Sequence, residues 1–348
     1  MLPNLTVGLD LGDKLSRTCG VNAAGLEVFT DAIVTTPKGV GEYFGELERC
    51  RVVMEAGTHS PWVSRTLEQL GHEVVVANPT LVYGPRRRKK RNDRMDAAFL
   101  ARQGRADVAL LHPIRHRTGA AQEQLAAIRA RDQLVRARTK LINHVRGAVK
   151  SLGARLPKCS AESFSRRVVA DIPDSVRSSL IPLLEVVEDL TKRIRGFDEQ
   201  IQRVVSEQYP EAVLLQQPHG VGALTALAFV LLIEDPHRFQ RSRDVGAYFG
   251  LVPRLDESSN SSPQLRITKA GDELGRRLLV SAAQYILGPH GPECDLRRHG
   301  EAIARRGGKN AKKRAAVAVA RKLAVLLHRL WVSGAVYDPD WVLKRRSA

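Results

Sequence analysis

Four acidic side chains occupy positions that would suit a metal-dependent reaction at phosphate. Asp10 and Glu55 each end a short apolar run, while Asp93 and Asp96 lie three residues apart in a segment rich in alanine, leucine and arginine. Residues three apart share one face of a helix, so the last two carboxylates should point the same way. Carboxylates that converge repel each other, and a divalent cation relieves that repulsion. Oxygen-only ligands favour Mg²⁺ or Mn²⁺ over zinc.

Two such ions could serve phosphodiester chemistry by activating the attacking oxygen and stabilising the leaving one. The alternative is structural: Asp10 caps a turn, Glu55 is an ordinary strand-end acid, and Asp93 and Asp96 are solvated or form salt bridges. Each acid taken singly favours the structural interpretation. All four acids on the predicted fold favour a metal site, so the elements that carry them matter most.

The chain is strongly basic. Its 348 residues include 55 Lys and Arg against 37 Asp and Glu, which gives a formal net charge of +18. Polyanions attract such a chain, and their binding releases counterions, so nucleic acid is the expected partner. An anionic membrane is the competitor, but the basic residues are spread along the chain and do not flank one apolar anchor. The densest basic run immediately precedes the acidic pair and is expected to contact nucleic acid: Arg86, Arg87, Arg88, Lys89, Lys90 and Arg91.

Several other classes of protein are disfavoured. No apolar run approaches the roughly 20 residues that cross a bilayer, and the first residues lack the layout of a signal peptide. We therefore expect a cytoplasmic protein without a membrane partner. Cysteines at positions 19, 50, 159 and 294 are scattered without a Cys-x-x-Cys pair, which argues against a zinc site or a disulfide framework.

The first hundred residues predict an α/β unit that would bring the acids together. Strand-like stretches alternate with helical ones, and short turns between the early strands predict antiparallel pairing there. Three strands followed by alternating helix and strand is the order of the ribonuclease-H-like fold. The first and fourth strands would then be neighbours, so Asp10 and Glu55 would meet at the rim of the sheet. The helix that carries Asp93 and Asp96 could pack across that rim.

The middle of the chain predicts two long helices. Apolar residues recur at helical spacing in 122–152, and a later segment steps by three and four over three heptads, as in a coiled coil. Such a seam packs within the chain or against another protomer. The first helix also carries many basic residues that could follow phosphates, although solvated charge is the default interpretation. The seam of the second helix comprises Leu180, Leu183, Val187, Leu190, Ile194, Phe197, Ile201 and Val204.

The last third contains two features that suit nucleic acid. Gly220 and Gly222 lie in a turn of helix-hairpin-helix form, where glycine permits close backbone approach and helix N–H groups can hold a phosphate. A polar loop at 255–264 follows and includes Ser258 and Ser259. A serine-rich loop is most often a flexible connector. Arg254 stands before this loop, and Lys269 follows it.

Taken together, these motifs resemble those of the RNA-guided insertion-sequence transposases, also called bridge-RNA recombinases. The family joins an N-terminal RuvC-like domain with a DEDD set of acids to a C-terminal transposase domain with a serine. The matching motifs occur in the family's order and span most of the chain: Gly8-Leu-Asp10, Met54-Glu-Ala-Gly57, Asn78-Pro79, Asn92-Asp-Arg-Met-Asp-Ala97, Pro218-His-Gly-Val-Gly222, Phe249-Gly-Leu-Val-Pro-Arg254 and Thr268-Lys-Ala-Gly271.

The resemblance implies roles for particular residues. Asp10, Glu55, Asp93 and Asp96 would form the DEDD set that binds Mg²⁺, and Ser258 would be the nucleophile. The family's serine is commonly followed by glycine, whereas here Ser259 comes next, so Ser259 is a rival. Independently of the resemblance, Arg254 and Lys269 could neutralise the charge that develops at a phosphate, and the two turn glycines would contact nucleic acid.

The resemblance also implies a three-part organisation and a reaction. A RuvC-like catalytic domain would occupy 1–112, a helical coiled-coil spacer 113–210, and a mainly helical transposase domain 211–348. The protein would cleave and rejoin donor and target DNA through a serine-linked intermediate, guided by a structured RNA, as a dimer or tetramer whose active site combines two protomers.

The alternatives are a RuvC-like endonuclease that hydrolyses branched DNA and a non-catalytic scaffold that binds RNA or DNA.

Overall fold

The computed structural model of the protein describes residues 4–83, 93–255 and 265–347. The chain forms two compact units, Met1–Arg117 and Thr118–Ala348. The first contains a five-stranded sheet with helices, and the second is almost entirely helical, as the predicted α/β and all-α classes require. The helical middle of the chain lies in the second unit with the C-terminal third. The predicted three-domain division stays a prediction.

The sheet of the first unit is mixed. Its strand order is β3-β2-β1-β4-β5. The three early strands pair antiparallel, whereas β1 pairs parallel with β4 and β4 with β5. The predicted antiparallel start and the predicted neighbourhood of the first and fourth strands are therefore confirmed. The strands are β1 (Thr6–Asp10), β2 (Leu15–Val21), β3 (Glu27–Val34), β4 (Arg51–Glu55) and β5 (Glu73–Ala77).

Helices cover both faces of this sheet. Alternate side chains of a strand point to opposite faces, and the sequence uses both. Val7 and Leu9 of β1 lie in one core with residues of α1 and α2, while Cys19 and Val21 of β2 pack against α4 on the other face. The helices of this unit are α1 (Pro37–Gly45), α2 (Ser60–Gln69), α3 (Pro79–Tyr83) and α4 (Asp93–Ala106).

Small residues let α4 lie directly on the sheet. A Cβ placed on Gly8 of β1 would stand 1.9 Å from the carbonyl oxygen of Ala97, and one placed on Gly104 would stand 2.3 Å from Val53. Any larger residue at these positions would push the helix away from the strands. The close approach fixes α4 over β1 and β4, the two strands that end in candidate acids.

The second unit is built around α9, whose residues from Ala226 to Ile233 are all buried. An all-round apolar helix of this kind is a core element surrounded by others. No helix in the described ranges is long and apolar enough to cross a membrane. The helices are α5 (Gly119–Ser151), α6 (Phe164–Val168), α7 (Asp174–Gln208), α8 (Pro210–Leu214), α9 (Ala223–Ile233), α10 (Val245–Tyr248), α11 (Glu273–Leu287), α12 (Asp295–Arg305), α13 (Ala311–Ser333) and α14 (Trp341–Ser347).

The long helices α5 and α7 pack on each other, but the buried stripe of α7 departs from the predicted seam. Leu180, Val187, Ile194 and Ile201 are buried as the seam requires. The four intervening seam residues are only half-buried, and at three of them the next residue is buried instead: Leu184, Thr191 and Val205.

A polar contact explains part of this displacement. The Thr191 hydroxyl donates to the carbonyl of Val187 and accepts from the buried guanidinium of Arg138 on α5. Arg138 in turn binds Glu162 at 3.2 Å. A buried cation must be satisfied, so threonine takes an inward position that a search for apolar periodicity assigns to Leu190.

Candidate active site

Two of the four predicted acids lie side by side at one edge of the sheet. Asp10 is the last residue of β1 and Glu55 the last of β4, and the register pairs Leu9 with Met54 just before them. Both acids share the face of Gly8 and Val53, the face on which α4 lies, because side chains alternate along each strand. Both are half-buried. The sheet therefore places these two carboxylates at the rim beside α4.

The direction of α4 brings its first turn to the same edge. Near its far end, the Gly104 carbonyl accepts a hydrogen bond of 2.9 Å from Arg51, the first residue of β4. The helix therefore runs opposite to β1 and β4. Ala97 lies over Gly8, and Asp10 is two residues, or about 7 Å, beyond Gly8 in the direction of the helix start. Asp96, which precedes Ala97, is half-buried there.

The side chain of Asp93 lies outside the described part of the structure, although its backbone belongs to α4. Among the described side chains, no group of three potential ligands is assembled around one point. The donors at the edge are all carboxylate oxygens, so their chemistry fits Mg²⁺ or Mn²⁺. If a metal binds here, Asp10, Glu55, Asp96 and Asp93 are the residues that would hold it.

An arginine near this edge was missed by the sequence analysis. Arg17 of β2 stands directly opposite Asp10 in the antiparallel ladder, and opposed residues share a face of the sheet. Its side chain is exposed. Only the register reveals this position, because the two residues are separated by a turn whose length the sequence does not fix.

A histidine also lies close to this rim. The Trp62 indole N–H donates to His59 Nδ1 at 3.1 Å, and His59 Nε2 is 3.5 Å from an Asp13 carboxylate oxygen. Because Nδ1 accepts from Trp62, the other ring nitrogen, Nε2, is the one that faces the Asp13 carboxylate. The contact ties the turn after β1 to the loop after β4, which are the segments that follow Asp10 and Glu55.

In the second unit, Ser258 and Ser259 lie outside the described residues, but both ends of their loop are described. Pro253 and Ile267 form an antiparallel bridge. The Arg254 N–H donates to the Arg266 carbonyl at 3.0 Å, and the Thr268 N–H donates to the Val252 carbonyl at 2.9 Å. The predicted connector is therefore held at its base as a hairpin.

Two glycines make this hairpin base possible. Gly250 has φ +65° and Gly271 has φ +78°, both in the left-handed region that favours glycine. A Cβ on Gly250 would stand 2.1 Å from the Ala270 carbonyl oxygen, and one on Gly271 would stand 2.0 Å from the Tyr248 carbonyl oxygen. The two segments that form the hairpin base therefore contact each other directly through their backbones, with no room for a side chain at either glycine.

Cations surround the hairpin base. Arg276 Nη1 donates to the carbonyls of Phe249 and Ala270, one on each limb, at 3.2 and 3.1 Å. Arg254 and Lys269, both predicted to bind nucleic acid, are exposed there. Lys269 has φ +56°, a strained conformation for a residue with a side chain.

A set of ion pairs holds α11, which follows the hairpin, against α5. Asp132 of α5 binds Arg277 at 2.8 Å and Arg136 at 2.9 Å, while Arg136 also reaches Glu273 at 2.9 Å. Arg129 binds Asp272, the N-cap of α11, at 3.1 Å. Burial raises the pKa of Asp132, but Arg277 and then Arg136 outweigh burial and hold that pKa below its ordinary value.

These contacts correct the expectation for the basic residues of α5. Four of its arginines bind acids of the chain itself, so they do not form a face that is free to follow phosphates: Arg129, Arg131, Arg136 and Arg138. A fifth, Arg146, donates to the Pro157 carbonyl and stacks over the Phe164 ring at 4.9 Å. Charge counting could not separate arginines that bind acids of the chain from arginines that do not.

The two predicted turn glycines differ in their surroundings. Gly220 has φ +81°, and a Cβ there would stand 2.8 Å from the Ala282 carbonyl of α11. Gly222 is exposed at the N-cap of α9, with no atom within 4 Å of a Cβ placed there. Gly220 is therefore required by packing, while Gly222 leaves open space beside a helix start. The basic run 86–91 lies outside the described residues.

Two transposase families match separate parts of the chain. One, described as the DEDD transposase of IS110, matches residues 7–153 and so includes all four candidate acids. The other, described as a transposase of the IS116/IS110/IS902 family, matches residues 212–296 and includes the hairpin with Ser258.

Curated relatives extend these matches over nearly the whole chain. A Coxiella burnetii protein named transposase for insertion sequence element IS1111A is 29% identical over 339 residues, covering 93% of this chain and 88% of the relative. A probable family 20 transposase of Pseudomonas aeruginosa is 28% identical, covering 96% and 98% of the two chains. The Yersinia enterocolitica transposase for IS1328 is 28% identical, covering 82% and 85%.

Proposed function

We propose that this chain, two parts of which match transposase families described as IS110 and IS116/IS110/IS902, breaks and rejoins DNA through a covalent serine–DNA intermediate. The observation that carries the proposal is the hairpin base between Gly250 and Gly271. A flexible linker needs no such base, whereas a loop that delivers a hydroxyl to a scissile phosphate must be held from both ends.

Each step of the reaction exchanges one phosphate ester bond for another. The Oγ atom of Ser258 attacks the phosphorus of a DNA phosphodiester, a serine–phosphate ester forms, and the displaced sugar oxygen leaves as a free hydroxyl that carries the serine proton. A hydroxyl of the partner DNA then attacks the ester, forms the new phosphodiester and restores the serine. No water is consumed, so resealing needs no outside source of energy.

A serine hydroxyl is a weak nucleophile at neutral pH and needs activation. We assign this to the sheet edge of a second protomer, where Asp10, Glu55, Asp93 and Asp96 would hold Mg²⁺, which when bound supplies charge to activate the attacking oxygen and stabilise the leaving one. Exposed Arg254 and Lys269 at the hairpin base are suited to offset the charge that develops on phosphate.

The test is to trap and map the covalent adduct. Full-length protein is incubated with the RNA that copurifies with it, labelled donor and target DNA, and Mg²⁺. The mixture is then denatured and digested, and the peptide that remains linked to DNA is sequenced. Attachment at Ser258 is expected, with loss of the adduct in Ser258→Ala and its retention in the matched Ser259→Ala variant. Attachment at Ser259 moves the nucleophile by one residue. Cut DNA without an adduct identifies a metal-dependent nuclease, and absence of cutting identifies a binding scaffold.

We also propose a structured guide RNA as a partner. With Arg129, Arg131, Arg136 and Arg138 engaged inside the chain, the run 86–91 and the C-terminal basic residues are the surfaces we assign to RNA. Competition at fixed salt tests specificity, because salt weakens both specific and non-specific binding. RNA that copurifies with the protein should outcompete arbitrary RNA of equal length. Equal competition would refute guidance.

A third part of the proposal is self-association through α5 and α7. The half-buried row of α7 leaves a groove of about 450 Å³ between the two helices, lined by Ala130, Leu134, Arg193, Gly196, Phe197 and Gln200. A second copy of the chain is the occupant we expect, because the regular seam of α7 extends into this groove. Light scattering should detect a dimer or tetramer that Phe197→Glu disrupts and the control Val186→Glu, on an exposed position of α7, does not. A monomer with and without RNA would refute the association.

A further inference from the structure

The last helix of the chain carries an aromatic ring packed against two cations. Arg329 of α13 places its guanidinium carbon 4.3 Å from the centre of the Trp341 ring, and Arg345 of α14 places its own at 4.4 Å. Two guanidinium groups on one face of a single indole would crowd and repel each other. We infer that they cover opposite faces and form a three-layered Arg–Trp–Arg stack.

Specific contacts hold α14 in place and so fix the stack. The Asp295 N–H donates to the Pro339 carbonyl at 2.8 Å, and the Val342 N–H donates to the Asp295 carboxylate at 2.6 Å. Arg298 binds Asp340, the residue before Trp341. The ring of Trp341 is therefore anchored at the start of α14, next to α13.

Both stacked arginines are exposed, and within the described residues neither has a carboxylate partner. Their neighbours differ in this respect. Arg298 binds Asp295 and Asp340, and Lys344 binds Asp338. The acids nearest in sequence to the stack are thus already engaged with other cations, which leaves the two guanidinium groups with uncompensated charge at the surface.

Each guanidinium carbon lies within 4.4 Å of the ring centre while its side chain remains exposed, so each group can offer its outer side to a ligand. A guanidinium plane is an established platform for an unpaired nucleobase, and its N–H groups at the edge bind phosphate. The ring also holds each side chain in one orientation, so less conformational freedom is lost when a ligand binds. Lys322, exposed two turns earlier than Arg329 on α13, adds a further cation about 10 Å along the helix.

We propose that Arg329, Trp341 and Arg345 form a binding site for an unpaired nucleobase and its phosphate in single-stranded nucleic acid. A duplex is a poor ligand, because its bases are already stacked and paired. The proposal rests on nucleic-acid binding alone and requires neither the serine chemistry nor the metal site.

The experiment measures binding of full-length protein to labelled 20-nucleotide oligo(dT), oligo(U) and a duplex of equal length by fluorescence anisotropy at fixed salt. The double variant Arg329→Lys with Arg345→Lys keeps both charges but removes both guanidinium planes. It should weaken binding of the single strands about tenfold, the size of one lost base stack, and leave duplex binding nearly unchanged. The tighter of the two single strands identifies DNA or RNA as the source of the base.

A second double variant, Arg329→Gln with Arg345→Gln, removes both charges as well as both planes. The slope of log affinity against log salt concentration should fall by the amount expected for the loss of about two phosphate contacts. The charge-matched control is Lys38→Gln with Lys158→Gln, two exposed side chains outside the basic surfaces assigned to RNA. Binding by the lysine variant equal to that of the unmodified chain would overturn the proposal. So would equal weakening by the control, or competition by anionic vesicles as effective as that by oligo(dT).

Thermal unfolding and adduct formation are measured on the same variants. If the stack only anchors α14, the lysine variant loses thermal stability while its affinity for single strands is unchanged, and the proposal fails. Failure of adduct formation in the unmodified chain would refute the serine mechanism without touching this site, so the two proposals are tested separately.

Discussion

The sheet edge that carries the acids and the hairpin that carries the serines are built in different ways. Asp10 and Glu55 owe their proximity to regular structure: two parallel strands in register end at the same rim. The hairpin owes its form to irregular backbone. Gly250 and Gly271 let two segments cross, and Arg276 bridges their carbonyls.

This difference affects how each region responds to change. A regular edge tolerates isosteric replacement of its acids without loss of the fold, so chemistry there can be separated from structure. At the hairpin the backbone is itself the positioning device, so a single methyl group alters geometry and function together.

The largest effect is expected from neutralising the acids of the edge. Asp10→Asn or Glu55→Gln should reduce strand cleavage by roughly 10³-fold, since each would remove a ligand that supplies several kcal/mol of charge stabilisation. Asp93→Ala should have the same effect. Thermal stability and DNA affinity should change little, because removing a repelling charge does not weaken a core.

The matched control is Glu48→Gln, an exposed acid of the same unit. Cleavage by an Asp10, Glu55 or Asp93 variant at the rate of this control would contradict the assignment of the metal site.

The next largest effect is expected where α4 packs closely on β1. Gly8→Ala places a Cβ 1.9 Å from the Ala97 carbonyl, so either the helix or β1 must move. We expect loss of about 2–4 kcal/mol of stability and cleavage reduced well below that of the unmodified chain, because Asp93 and Asp96 move with the helix. Thermal melts and a cleavage assay measure both. Gly57→Ala, where nothing lies within 4 Å of the new Cβ, is the control and should be nearly neutral.

Gly250→Ala tests the hairpin in the same way. The new Cβ would meet the Ala270 carbonyl oxygen at 2.1 Å on a backbone with φ +65°. Strain of this type costs at least about 1–2 kcal/mol, and the displaced loop should form much less serine adduct. Gly147→Ala on the exposed surface of α5 should instead raise stability by up to about 1 kcal/mol. Normal adduct formation by Gly250→Ala would show that the base does not position the serine.

A smaller effect is expected where α5 holds α11. Asp132→Asn removes the charge that binds Arg277 and Arg136 and should cost about 1–3 kcal/mol. The pKa of Asp132 is lowered in the folded chain, so its stabilising contribution is complete above the ordinary aspartate pKa and is lost as pH falls through the folded value.

Chemical denaturation between pH 7 and pH 3 should therefore show less acid-dependent loss in Asp132→Asn than in the unmodified chain. Asp189→Asn, which removes an exposed pair with Arg193 inside α7, is the control. If both variants show the same pH dependence, the pairs of Asp132 do not hold the two helices together.

The smallest effect on stability is expected at Lys269, where one substitution distinguishes the strain of the backbone from the role of the side chain. Lys269→Gly removes a side chain from a position with φ +56° and should raise stability by about 1 kcal/mol. It should nevertheless weaken DNA binding and slow adduct formation, whereas Lys269→Arg should retain both. A glycine variant with full activity would show that the ammonium group has no role.

The sequence alone predicted the antiparallel pairing of the early strands, because alternation and turn signals are local properties. It also predicted that the first and fourth strands are neighbours, so that Asp10 meets Glu55, because the order of strands and helices is that of the ribonuclease-H-like fold. It also predicted that Gly250 and Gly271 belong to family motifs. It did not predict why glycine is required at these two positions, because each glycine contacts a segment about 20 residues away in the chain.

Tertiary structure decided which cationic side chains are available to bind nucleic acid and which residues are buried in the core. Arg138 is buried with Thr191, and the other acid-binding arginines of α5 hold neighbouring segments, whereas Arg329 and Arg345 remain at the surface on Trp341. A sequence records the number of charges but not the distance between them. Whether an arginine meets a carboxylate, an aromatic ring or solvent depends on segments that are remote in the chain, and only the folded backbone brings those segments together.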